Sequence, residues 1–282
     1  MTYKTILAHA GSGTGAEQAI RMACVLARSM NAHLVGGAPT GISRYIPPAV
    51  LRAGGPAVAA RCDALRRAAA DALARFEHIA AAEGVDSFES RAVDDEIDAA
   101  LALQARYCDL VVVGQSTPGT ATPPMPADLP GYLLLTSGQP VLVVPAAASP
   151  PAAGTHAVVG WDASVEAARA VTGALPLLHA AGRVTVVGFG FGFGEEATSA
   201  GSGDDACEEL ATWLQRHGVN AHGRSLARAG DIGEALLSEA TDAHAGLLVM
   251  GGYGHARFRE LMLGGVTATV LRAMKLPVLF AH

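Results

Sequence analysis

Short apolar runs alternate with longer amphipathic stretches along the whole chain of 282 residues. Thr5 to His9, His33 to Gly37, Leu110 to Gly114 and Pro140 to Val144 are compact runs rich in small and branched apolar residues. Such runs belong to strands covered on both faces. Phe88 to Ala92, with Glu89, Ser90 and Arg91 inside it, is a further predicted strand. Between them, apolar positions at helical spacing predict helices over Ala16 to Ser29, Ala57 to Ala82 and Glu96 to Tyr107, with a short one near Tyr132 and a long loop around Pro47-Pro48. Thr14 and Glu17 have the spacing of a capping box at the first helix. Strands separated by helices mean a parallel sheet joined by right-handed crossovers.

From Ala146 to Thr155 this pattern stops for ten residues of small, proline-bearing sequence, which predicts a linker. The alternation then starts again. Strands are predicted at Ala157 to Trp161, Val184 to Val187, Ala221 to Ser225, Leu247 to Met250 and Pro277 to Ala281, with helices at Val165 to His179, Ala206 to Arg216, Ile232 to Ala243 and Val266 to Met274. Gly114 and Gly251, Pro140 and Pro277, and Asp94 and Asp231 all stand 137 residues apart (251 − 114), so the last third of each half aligns without a gap. The chain is therefore predicted to hold two copies of one α/β domain, residues 1–146 and 156–282.

Half the residues are hydrophobic and 16% are charged, enough apolar material for a core in each copy and too much for a disordered chain. The net charge of −6 comes without any basic run, which argues against nucleic acid or an anionic membrane surface as partner. Cys24, Cys62, Cys108 and Cys207 lack metal or redox spacing and read as buried thiols of a reducing compartment. Met1 to Lys4 leads straight into a strand without a signal-peptide pattern, and no apolar run approaches the roughly 18 residues of a membrane span. A soluble cytoplasmic protein is expected.

Candidate chemistry gathers near the end of the chain. Leu247 to Met250 runs into Gly251, Gly252 and Gly254, and nine residues on Gly264 and Gly265 precede Val266, Thr267 and the next helix. Glycines let bare backbone N–H groups approach a phosphate, and a helix N-terminus adds partial positive charge. A strand-to-loop glycine is equally what an ordinary turn needs. At the matching positions of the first copy stand Gly114, Thr117, Ala127 and Pro130, with Pro118, Pro123, Pro124 and Pro126 in the loop, and proline has no N–H to donate. The second copy is the better phosphate cradle.

These residues resemble the universal stress protein family, whose nucleotide-binding pattern is Gly, two residues, Gly, nine residues, Gly, then Ser or Thr. Gly251, Gly254 and Gly264 match at that spacing. The resemblance implies a tandem member with Rossmann-like domains of strand order 3-2-1-4-5. It further implies an adenine nucleotide, ATP or else ADP or AMP, in the C-terminal copy, with magnesium possible on the phosphates. By resemblance Asp162, after the first strand of that copy, is the nucleoside contact, and Gly251, Gly252, Gly254, Gly264, Gly265, Val266 and Thr267 line the phosphates. Gly265 departs from the pattern, standing where the family has a hydroxyl, and Thr267 is the alternative source of one. Ala10 is matched to Asp162 in the first copy, which would lack both anchors. The family also implies an intramolecular pair of domains, leaving monomer or homodimer open.

Competing readings remain for several residues. Asp162 and Ser164 compete as the cap of the following helix. Arg257 and Arg259 suit either phosphate pairing or a solvated loop, and His255 has no neighbours at metal-ligand spacing. The run Gly188 to Gly194 follows the second strand of its copy and leads into Glu195 and Glu196, so a flap whose phenylalanines cover an adenine is preferred to a dinucleotide fingerprint. His9 and Trp161, ending first strands, are placed in or near the crevice. No catalytic triad, Cys-His pair or metalloprotease motif stands out, so the expectation is a regulatory nucleotide binder with at most weak ATPase activity. An interaction scaffold of the same fold without nucleotide is the alternative.

Overall fold

The computed structural model describes residues 2–12, 14–116, 128–150, 154–189, 203–226, 230–254 and 265–282, with backbone alone for 14, 203 and 204. The chain divides into two compact units, Thr2–Ser149 and Pro150–His282.

The first unit contains β1 (Thr5–His9), α1 (Thr14–Met30), β2 (His33–Pro39), α2 (Ile42–Tyr45), α3 (Pro48–Ala53), α4 (Pro56–Ala82), β3 (Phe88–Val93), α5 (Ile97–Ala105), β4 (Leu110–Gly114), α6 (Leu129–Thr136) and β5 (Val141–Val144). All its strand pairs are parallel, in the order β3-β2-β1-β4-β5. Helices cover both faces. A Cβ on Gly36 would meet Phe76 of α4 and one on Gly37 would meet Leu101 of α5, and successive strand residues face opposite sides. That double cover is why β4 and β5 are buried throughout, with each large side chain so enclosed contributing about 1.5–3 kcal/mol.

The second unit contains β6 (His156–Gly160), α7 (Val165–Ala180), β7 (Arg183–Phe189), α8 (Gly203–Arg216), β8 (Ala221–Leu226), α9 (Ile232–Asp242), β9 (Leu247–Gly251), α10 (Val266–Ala273) and β10 (Val278–Ala281). Its parallel order, β8-β7-β6-β9-β10, repeats that of the first unit. The elements β4, α6 and β5 lie 137 residues before β9, α10 and β10 at both of their ends. The repeat inferred from three residue pairs therefore extends over whole elements.

Four local expectations change. The loop around Pro47-Pro48 contains two short helices, with Pro48 in the first turn of α3, where its missing N–H costs nothing. Ile42 and Ile46 pack with Cys62 and Leu65 of α4 into a small satellite core. Thr14 opens α1 as its first helical residue instead of preceding it as a cap. Gly188 and Phe189 belong to strand β7, because they continue its pairing with Ser225 and Leu226. The last difference concerns register. Ala10 N–H donates to Gly37 O and Trp161 N–H to Val187 O, while His9 pairs with Gly37 and Gly160 with Val187. Ala10 thus corresponds to Trp161, and the residue standing where Asp162 stands is Gly11. The first unit still has no carboxylate there.

Candidate functional site

In the second unit the chain moves outward from β6 to β7 and β8, then returns to β9 on the other side of β6. The loops leaving β6 and β9 therefore part, and a crevice opens at the carboxyl ends of these strands. Asp162, two residues past β6, and Gly251, the last residue of β9, both stand at this switch point.

Asp162 is exposed and does not cap α7. Ser164 does, its Oγ accepting from Ala167 N–H at 3.1 Å. Asp162 Oδ1 lies behind the cap, accepting from Ser164 N–H at 3.0 Å and from the Ser164 hydroxyl at 2.6 Å. Ala163 makes this turn with φ of 58°, in the left-handed region. One carboxylate oxygen is thus fixed to the helix start while the side chain remains at the surface.

The glycines of the β9 loop divide by environment. A Cβ on Gly251 would lie 2.6 Å from Ala167 N, and one on Gly114 would lie 2.7 Å from Gly15 O. In both units the fourth strand ends against the backbone of the first helix, so this glycine is a packing requirement. Gly252 spends its polar groups inside the unit, donating to Ala281 O and accepting from His282 Nδ1. Tyr253, with φ of 57°, donates its N–H to Thr267 Oγ1 at 3.2 Å. The buried Thr267 hydroxyl is therefore an anchor for the loop. Gly254 is exposed, and the three described atoms nearest to a Cβ there all belong to the Glu166 side chain, with Oε2 at 2.8 Å.

The two units differ most at the start of the last helix. Gly265 is the N-cap of α10, extended at φ −178°, and gives no side-chain cap to the first N–H groups of the helix. The residue 137 positions earlier is Asp128, whose Oδ1 accepts from Gly131 N–H at 3.0 Å at the start of α6. Pro130 removes a further donor there. The first unit caps its last helix with its own carboxylate, and the N-cap residue of the second has no side chain to do so. The same subtraction of 137 from Gly265 finds Asp128, which lies outside the glycine and threonine positions matched between the two loops.

α10 is oriented by a second carboxylate. Asp231 caps α9 through Gly233 N–H at 2.7 Å and Glu234 N–H at 3.1 Å, and its Oδ2 accepts from Thr269 Oγ1 of α10 at 3.1 Å. The Glu234 N–H, and then the Thr269 hydroxyl and Gly233 N–H, hold the Asp231 carboxyl below the usual range. Sequence comparison singled out Asp231 only as a register mark. In the first unit Asp94 is instead held low by Arg66, which donates at 2.9 and 2.6 Å.

His9 lies buried beside Gly11 at the end of β1, and burial pushes its imidazole down to about 4. Trp161 is half-buried. Gly264, His255, Arg257, Arg259, Thr117, Ala127, Pro118, Pro123, Pro124, Pro126 and the run from Gly190 to Glu196 lie outside the described residues. Among the described residues no group of three His, Cys, Asp or Glu side chains could hold a metal ion, and no helix is long and apolar enough to cross a membrane.

Residues 155–282 match the Universal stress protein family. Universal stress protein Slr1230 of Synechocystis sp. is 44% identical over 50 residues, which are 18% of this chain and 17% of that protein. Among solved structures, a universal stress protein from Archaeoglobus fulgidus is similar over 98% of this chain and 94% of its own, with a TM-score of 0.70 at 13% identity. A Pseudomonas aeruginosa structure described as a putative universal stress protein is similar over 98% of this chain and 92% of its own, with a TM-score of 0.61 at 16% identity. At such identities the two structures speak for the fold alone. The family match thus covers residues 155–282, and the likeness in fold extends over nearly the whole chain.

Proposed function

We propose that the protein is a stress-response regulator that binds an adenine nucleotide in the crevice of its second unit. The observation that carries this reading is the contrast 137 residues apart between Gly265 and Asp128. One helix start gets no side-chain cap from its N-cap residue, and the other is capped by its own carboxylate. Phosphate binding at such a position depends on backbone N–H groups and the helix dipole, so the missing hydroxyl at Gly265 removes a contact and leaves the cradle. In this reading Gly254, Gly264, Gly265 and Val266 approach the phosphates, and Thr267 holds the loop. Gly251 and Gly252 form its base, while Asp162 offers its free carboxylate oxygen to ribose hydroxyls. Magnesium, if it takes part, would enter with the phosphates, since no described cluster of side chains is set to hold it.

Calorimetry of the whole chain with AMP, ADP and ATP tests this reading. Wild type is expected to bind at least one of them. Asp162→Ala should weaken binding by roughly tenfold, the scale of lost hydrogen bonds to a carboxylate. Gly254→Val should weaken it further while the unit stays folded, because the described atoms nearest to the added Cβ belong to the flexible Glu166 side chain. Absence of binding by wild type would leave the interaction scaffold as the better reading.

A further inference from the structure

We propose that Glu166 sets the charge preference of the second unit's crevice, turning it toward a nucleoside monophosphate and away from longer phosphate chains. This rests on the nucleotide reading above and concerns the same site.

Glu166 lies in the first turn of α7, half-buried, and its Oε2 stands 2.8 Å from where a Cβ on Gly254 would be. The carboxylate therefore occupies the space beside the exposed glycine of the loop. Tyr253, one residue earlier, is bonded to Thr267 in the first turn of α10. The starts of α7 and α10 thus meet on either side of the Tyr253-Gly254 step, one bearing a negative charge and the other without a side-chain cap from Gly265. Asp162, two residues before the α7 cap, adds a second exposed carboxylate on the same side. No Lys or Arg pairs with Glu166 or Asp162 among the described residues. The acidic residue suits the helix start, where a carboxylate faces the positive end of the dipole. The same position places it against any phosphate brought to Gly254. Each added phosphoryl group raises the negative charge of the ligand, so repulsion from Glu166 grows from AMP to ATP.

The test is calorimetry of the full chain as wild type, Glu166→Gln and Glu166→Ala, titrated with AMP, ADP and ATP in EDTA and again in magnesium chloride. In EDTA, Glu166→Gln is expected to raise ATP affinity roughly tenfold, the scale of one like-charge contact near a protein surface. AMP affinity should change far less, and Glu166→Ala should follow Glu166→Gln. An unchanged ratio of ATP to AMP affinity overturns the assignment. So does a loss of magnesium-dependent ATP binding in Glu166→Gln, which would make the carboxylate a partner of the cation. If wild type binds AMP while the ratio stays fixed, the nucleotide reading survives and the Glu166 assignment fails. If no variant binds any of the three nucleotides, both fail.

Discussion

A single glycine has two very different meanings in this chain, and the repeat separates them. Gly251 has a counterpart, Gly114, in a unit whose last helix is capped by its own carboxylate, and both meet helix backbone closer than a Cβ allows. Gly254 has no glycine counterpart, and the described atoms nearest to its Cβ position belong to the flexible Glu166 side chain. Gly251→Ala should therefore destabilise the second unit by about 1–3 kcal/mol, because the obstacle is backbone that moves only with the whole helix. Both tryptophans, Trp161 and Trp213, lie in that unit, so denaturant unfolding followed by tryptophan fluorescence reads the loss directly. Gly254→Ala should change stability by less than about 0.5 kcal/mol in the same assay. Spacing alone found these positions, but their roles depend on which atoms lie opposite, and that is not written locally. The slip between Ala10 and Gly11 has the same origin. Strands buried on both faces are apolar at every position, so no alternation marks a one-residue shift, and backbone hydrogen bonds fix it.

Among the elements, most strands and long helices were legible because hydrophobic periodicity carries them. The short helices α2 and α3 were not, since four and six residues show too little of a helical period. Asp231 is an element-scale device of another kind, capping α9 and holding α10 by Thr269 at once. Asp231→Ala should cost about 1–2 kcal/mol, the upper range for a cap, and loosen α10, which hydrogen exchange at Val270 and Leu271 would report. The pH dependence has a definite sign. A carboxyl held lower in the folded state than in the unfolded state stabilises above its unfolded pKa, and that contribution is lost as pH falls through the folded value. Asp231→Asn should flatten this acid limb, whereas an unchanged limb would mean that other carboxylates carry it.

For the whole molecule, two units with one strand order have diverged in what fills their crevices. The first buries His9, whose imidazole titrates near 4 because burial disfavours its charged form. The unfolded chain takes up that proton near 6.5, so between those values the unfolded state binds more protons. Stability of the first unit should then fall with pH, by up to about 1.4 kcal/mol for each unit below 6.5. Hydrogen exchange at β1 and β4 amides, compared between pH 7.5 and 5, would show the loss, and His9→Phe should remove most of it. Sequence placed His9 near the crevice but gave no measure of its burial, which depends on the elements packed around it. The difference between the crevices is only half visible in the sequence: the lost glycines show in the spacing, whereas the role of Asp128 depends on its bond to Gly131 N–H.

That difference can be transferred from one unit to the other by one substitution. Gly265 has an extended backbone that any residue adopts, so Gly265→Asp would give α10 the cap that Asp128 gives α6 without straining the loop. The decisive measurement is calorimetry of adenine nucleotide binding by wild type and Gly265→Asp under the same conditions. Wild type should bind, and the variant, folded and no less stable, should lose at least tenfold in affinity because its own carboxylate occupies the phosphate position. Equal affinity of the two proteins would contradict the account, since the start of α10 would then play no part in holding the ligand.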